Sequence, residues 1–177
     1  QRHDRASGQK DEAWEHLWKP GKDEAPSRGV RPFVMPTALL VDDRFLYVLD
    51  SAGEEIRRLD KASGEEKPFD APLKVVKPAD MAWLPNGNLL VLTSEVVAEL
   101  TRDGAPVKLP LIAGLSRCVA IDVHPKTGNL WIAEGGPEGE VRNRIREFMP
   151  DGRATGVEIG LGGGEFNGRG SPGSFAF

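Results

Sequence analysis

The stretch Pro125-Lys-Thr-Gly-Asn-Leu-Trp-Ile-Ala-Glu134 decides the fold, because its plan occurs more than once in the chain. Pro85-Asn-Gly-Asn-Leu-Leu-Val-Leu-Thr93 repeats it: a Pro- and Gly-containing turn, then a short apolar run ending in a polar residue. Phe45-Leu-Tyr-Val-Leu-Asp50 is a third version of the run. Runs this short, rich in branched and aromatic residues and bounded by turn residues, read as β-strands. A second strand-like segment precedes each run: Pro36–Asp42, Pro78–Trp83 and Arg117–Asp122. A third follows each: Glu55–Asp60, Val97–Thr101 and Asn143–Phe148. Turns at Ala62-Ser-Gly64, Asp103-Gly104 and Pro150-Asp-Gly152 close the units.

The units recur at a fixed distance. Leu46 to Leu89 is 43 residues and Leu89 to Leu130 is 41. Leu59 to Leu100 is 41, and Leu100 to Phe148 is 48, the longer step coming from an insertion around Gly135 to Arg142. A period in the low forties with about four short strands per unit is the pattern of propeller blades. Burial is the physical reason. One four-stranded sheet cannot cover both of its faces, so neighbouring sheets stack and cover each other. The core expected from this reading is Val41, Leu46, Val48, Ile56, Met81, Trp83, Leu89, Val91, Ala120, Leu130, Ile132 and Ile145.

Composition agrees with many tight turns. Gly (21) and Pro (14) make up 35 of 177 residues, above the roughly 12% of average usage. Lys plus Arg is 23 and Asp plus Glu is 27, a net charge of -4 that argues against a nucleic-acid partner. The longest apolar run, Phe45–Leu49, is far short of the ~20 residues that span a bilayer as a helix. Cys118 is the single cysteine, so neither an internal disulfide nor a Cys-cluster metal site is available.

The units resemble NHL repeats, whose blades run Pro-x-x-(Ile/Met)-Ala, then Gly-Asn-Leu-(Tyr/Trp)-Val, then Arg-Ile-x-x-Phe and Asp-Gly. Asn86-Gly-Asn-Leu-Leu-Val91, Gly128-Asn-Leu-Trp-Ile-Ala133, Asn143-Arg-Ile-Arg-Glu-Phe148 and Asp151-Gly152 carry the likeness. Gly162-Gly-Gly-Glu-Phe-Asn-Gly168 looks like the stretch that leads into a further blade. The resemblance covers roughly residues 33–177. It implies an all-β propeller of NHL type, here partial, with three to four blades over residues 31–177. Residues 1–30 read as a polar, extended N-terminal arm. Within it Trp14, Leu17 and Trp18 are candidates for docking a partner, since two Trp residues and a Leu make a good anchor. An array of this size leaves blade faces and strand edges bare, so a protein partner or self-association is expected.

Candidate chemistry sits on one rim. Alternating strand direction puts the starts of first strands and the ends of second strands on the same side. Asp50, Asp80, Thr93, Arg117 and Glu134 therefore share that rim. Carboxylates there suit calcium or magnesium, or else bond backbone amides at turns. As rim residues they are expected to be dispensable for folding. His124 lies in a turn on the opposite side, and no histidine pair or Ser-His-Asp pattern is recognisable. The glycines at 160 and 162–164 lack the Gly-Lys-Ser/Thr of a phosphate loop. Arg142, Arg144 and Arg146 share one strand face and read as a solvated outer strand.

The third unit is also similar to blades of streptogramin lyases and soluble quinoprotein sugar dehydrogenases, without the catalytic residues those enzymes draw from other blades. Three readings follow. The first is a non-catalytic binding or scaffold propeller, a subunit or fragment of a larger assembly, with no cofactor. The second is a lyase or lactonase using a divalent metal. The third is a fragment of a quinoprotein dehydrogenase. The first is the expectation, with an extracellular or periplasmic location.

Overall fold

The computed structural model describes residues 30–69, 74–135 and 143–160. The arm with Trp14, Leu17 and Trp18, most of the 135–142 insertion, and the Gly-rich segment lie outside the described residues. The described residues form eleven strands and no helix. The first sheet contains β1 (Pro36–Val41), β2 (Phe45–Asp50) and β3 (Glu55–Asp60). The second contains β4 (Pro78–Trp83), β5 (Leu89–Thr93), β6 (Val97–Leu100) and β7 (Pro106–Ile112). The third contains β8 (Cys118–Val123), β9 (Leu130–Glu134), β10 (Arg144–Phe148) and β11 (Ala154–Gly160). Each is an antiparallel meander in chain order. In the first sheet the fourth position is held by isolated bridges from Glu66 and Lys74 back to β3.

The repeat is visible in the registers. Leu39 faces Val48, Met81 faces Val91, and Ile121 faces Ile132. Every first strand carries a bulge at its second residue, between Pro36 and Ala38, Pro78 and Asp80, and Cys118 and Ala120. A bulge bends and twists the strand at a fixed point, and here it recurs once per unit. Packing between sheets runs most closely along the first strands, with β4 between β1 and β8, so these form the inner edge.

Two cores result, one in each seam. Tyr47, Leu49, Ile56 and Phe69 of the first unit pack on Met81, Leu89, Val91 and Leu100 of the second. Ala82, Leu90, Leu92, Val97 and Ile112 of the second pack on Ile121, Leu130, Ile132 and Phe148 of the third. The middle sheet is thus covered on both faces. This is why β5 reads as an uninterrupted apolar run instead of alternating. Each large aliphatic side chain so buried is worth roughly 1.5–3 kcal/mol. Tyr47 ties the first seam together. Its ring meets Trp83 edge-on at 4.9 Å, and its hydroxyl donates to Asp42 at 3.0 Å. Burial, aided by Asp42, pushes that hydroxyl's pKa up to about 12. Gly152, with φ of 91°, closes the turn between β10 and β11 directly over the second sheet, where a Cβ would run into the Leu111 carbonyl oxygen.

Several expectations need correction. Val41 is 59% exposed, because it lies on the face of the first sheet that no other described sheet covers. Leu46, Trp83 and Ile145 are only half-buried. Tyr47, Leu49, Leu90 and Leu92 are buried instead, since residues on both sides of a doubly covered strand count as core. The fourth strands β7 and β11 were not individually expected. They are largely exposed edge strands, where little selects for an apolar alternation and proline is tolerated.

Ile132→Ala, in the second seam, is expected to cost about 2–5 kcal/mol, whereas Val107→Ala on exposed β7 stays within about 0.5 kcal/mol. Urea unfolding of the two variants checks this. Equal midpoints would remove the seam as the stabilising element.

Candidate functional site

The rim begins with three equivalent positions. Asp50, Thr93 and Glu134 end the second strands and face Pro36, Pro78 and Cys118, which open the first strands. Just beyond them a backbone bond recurs: Ser51, Ser94 and Gly135 donate their amides to Met35, Lys77 and Arg117. The side chain at each of the three positions therefore projects beside the segment that enters its own unit.

Asp50 uses that placement fully. Both carboxylate oxygens accept backbone amides, from Val34 at 2.8 Å and Met35 at 2.7 Å. Burial works to raise its pKa, but the amides of Met35, Val34 and Gly53, with Arg57 nearby, outweigh it and hold the carboxyl below its ordinary value. Thr93 makes a local turn, its hydroxyl accepting the amides of Glu95 and Val96. Glu134 accepts the Ser116 amide at 3.1 Å on one oxygen. Its other oxygen lies 2.6 Å from Nε of Arg144 and 2.6 Å from Nε of Arg146. Asp50 and Glu134 are each 1% exposed. The expectation that these rim residues are dispensable for folding is therefore corrected: two of them are interior anchors.

Asp80 bridges units. One oxygen accepts the Met81 amide at 2.9 Å and the other the Ile121 amide of the adjacent first strand at 3.0 Å. Ile121 lies on an inner strand whose free edge would otherwise leave this amide unpaired. Burial raises the Asp80 pKa, the two amides offset part of this, and Asp122 adds to the rise. Arg117 is exposed and sits at φ of 50°, as does Lys77 at the same place in the preceding unit. Such backbone is uncommon away from glycine. The two cations, with Ser94, Glu95, Leu115 and Ser116, line a depression of about 560 Å³. Thr93 lines an adjoining one of about 520 Å³, beside Val96 and Leu109, which shares Lys77, Ser94 and Glu95 with the first.

The structure thus brings Glu134 together with Arg144 and Arg146, which the sequence reading placed apart. Arg144 faces Glu134 directly in the β9–β10 register, a pairing that the sequence carries no signal for. The arginines are not a free solvated row. His124 accepts the Lys126 and Thr127 amides on Nδ1, in keeping with a turn residue. Cys118 is buried beside Glu134; burial first, then that charge, push its thiol up to about 12, so it is a poor nucleophile. Among the described residues, no three His, Cys, Asp or Glu side chains converge in a way that could hold a metal ion. No described helix is long and apolar enough to cross a membrane.

With this geometry in hand, the class of protein is clear: the chain has a β-propeller fold. No family model matches it, and no curated protein is significantly similar to it. Solved propellers are similar in structure. A chain of the nidogen/laminin complex matches with a TM-score of 0.58 at 20% identity, over 71% of this chain and 47% of that one. Hydrazine synthase from Kuenenia stuttgartiensis matches with a TM-score of 0.54 at 16% identity, over 72% and 36%. Regucalcin from Agrobacterium tumefaciens, described as a calcium-binding protein, matches with a TM-score of 0.53 at 16% identity, over 74% and 44%. In each case the match spans less than half of the other chain.

Glu134→Ala removes the buried carboxylate that Arg144, Arg146 and the Ser116 amide share and is expected to cost about 1–3 kcal/mol. Glu158→Ala, at the exposed end of the same arginine row, is expected to cost less than about 0.5 kcal/mol. Denaturant midpoints decide, and equal losses would mean the Glu134 pairs carry no net stability.

The depressed carboxyl of Asp50 has a definite sign. A group with a lowered folded-state pKa stabilises the protein above the unfolded carboxyl value of about 3.9, and that contribution is lost as pH falls through the folded value. Thermal melts from pH 7 down to pH 2 should therefore show a shallower acid loss in Asp50→Asn, starting from a lower Tm at pH 7. Parallel curves would sink this assignment.

Proposed function

We propose that the chain is a non-catalytic binding or scaffold module of NHL propeller type, acting by protein–protein association. One observation carries this reading. The rim carboxylates offered by the sequence spend their oxygens on backbone amides and arginines: Asp50 on Val34 and Met35, Asp80 on Met81 and Ile121, Glu134 on Ser116 and the Arg144–Arg146 pair. A metal-dependent lyase or lactonase needs such oxygens free for a cation. A nucleophilic mechanism through Cys118 would need a thiolate that burial disfavours. What remains open to solvent is suited to contact: apolar side chains on the outer faces and a rim with Lys77 and Arg117. The likeness to a chain of the nidogen/laminin complex supports association as the mode of action. An extracellular or periplasmic place of action goes with the NHL-type reading, and the segment with Trp14, Leu17 and Trp18 is proposed as an accessory anchor.

The test is calorimetric titration of the purified chain with calcium and with magnesium, alongside melts in each ion. No saturable heat and no Tm shift are expected. Saturable binding that raises Tm and disappears in Asp80→Asn would replace this reading with that of a metal-dependent propeller.

A further inference from the structure

The three units share one plan, so each shows what the others lack. Arg57, Ala98 and Arg146 occupy one position, facing Val48, Val91 and Ile132 on the second strands. In the first unit Arg57 fills the space under the strand-entry segment. It is 2% exposed, donates to both Glu66 oxygens and to the Arg31 and Pro32 carbonyls, and lies 4.2 Å from the Phe33 ring centre. In the third unit Arg146 reaches Glu134 and lies over the Phe148 ring. The middle unit has only the Ala98 methyl there, and Val75 where the first unit has Phe33.

The place left open is the hollow of about 520 Å³ beside Thr93. Its walls are apolar: Val75, Val91, Val96, Ala98, Leu100 and Leu109. The middle unit has a neighbour on both sides, so this hollow is not an end of the array. Lys74 and Lys77 stand at it, and the adjoining depression adds Arg117. Lys74 already has Glu55 at 3.3 Å, but Lys77 and Arg117 pair with no described carboxylate. Among the described residues, Glu95 is the one carboxylate in either lining. Gly135 stands where the other units have Ser51 and Ser94. A Cβ there would lie 3.2 Å from Cβ and 3.3 Å from Nε of Arg117, so its absence lets the arginine lie against the rim.

We propose that this double depression receives an extended acidic segment of a partner protein, with a large apolar side chain in the Ala98 hollow and carboxylates on Lys77 and Arg117. This rests on the association reading and names the surface used and the chemistry of the partner. Charge selects the sign of the ligand, since two cations without ion pairs face a single glutamate. Shape selects its kind. Free small ligands are enclosed over most of their surface in their sites. Here Val76 is 68% exposed and Leu109 is 61% exposed, so the hollow is open on one side and suits a side chain carried in on a chain. An apolar anchor in a pocket supplies the affinity of such a contact, and charges at its rim supply steering and specificity.

Fluorescence anisotropy with labelled peptides tests it. Asp-Asp-Leu-Phe-Asp-Asp should bind the 177-residue chain saturably, and more weakly as salt rises. Lys-Lys-Leu-Phe-Lys-Lys and Asp-Asp-Ser-Ser-Asp-Asp should each bind at least about tenfold more weakly. Ala98→Arg gives the middle unit the side chain its neighbours carry. That variant and Lys77→Glu should each weaken the first peptide by about tenfold or more, with a cooperative melt retained. Should Ala98→Arg not fold, Lys77→Glu and Arg117→Glu, both at exposed positions, decide. Lys126→Glu, the same reversal in the turn between β8 and β9, should leave binding unchanged. A loss there as large as in Lys77→Glu overturns the proposal, and so does equal binding of the three peptides or no saturable binding. Octanoate binding as tightly as the peptide would assign the hollow to a free apolar acid. A two-chain parent that Lys77→Glu separates would assign it to a second copy, and either result overturns the peptide. No peptide binding in a chain without response to metal ions removes this site alone, whereas a saturable metal response removes the association reading and this site with it.

Discussion

A sheet with aliphatic side chains on both faces has no stable place in water by itself. Every feature of this chain answers that constraint. The middle sheet meets it completely, with Met81, Leu89 and Val91 against the first unit and Leu90, Leu92 and Val97 against the third. The turns, bulges and anchoring carboxylates serve to hold successive sheets at the distance and twist that such packing needs. Conformational entropy opposes the ordering of so many short strands, and the two seams supply the opposing term.

The polar interior follows from the same geometry. An inner strand has one edge with no neighbour in its own sheet, and each strand-entry segment carries amides that no ladder satisfies. A buried amide without an acceptor is costly. Asp50 and Glu134 supply acceptors within their own units, and Asp80 supplies one across the seam. Thr93, shorter and uncharged, turns to its own loop instead. Residues that look catalytic on a rim can thus be structural, and what distinguishes the two is whether their oxygens are already occupied.

Much of the fold was legible in the chain itself. The recurrence of a short apolar run at Leu46, Leu89 and Leu130, at intervals of 43 and 41 residues, sufficed for the repeat and for the strand pattern of each unit. The fourth strands were not legible, since Pro106-Val-Lys-Leu-Pro-Leu-Ile112 has two prolines and exposed faces that impose no pattern. Core membership was half legible. Leu89 and Ile132 stood out, but Val41 has the same composition of neighbours and differs only in having no unit beside it. For the rim, the sequence placed the right residues on one side but not their partners. The link from Glu134 to Arg144 depends on the β9–β10 register, which a ten-residue separation with an intervening insertion does not reveal.

The backbone latches between units carry a last consequence. Val75 donates to Glu54, Leu115 to Glu95 and Cys118 to Ser94, so the loops after β2 and β5 each grip the chain where it enters the next unit. Each module thus travels with its own clasp. Recombination can copy or excise it whole and preserve every clasp, whereas a break inside a module severs one. Arrays of this kind are free to change length during evolution, but only in steps of a complete module.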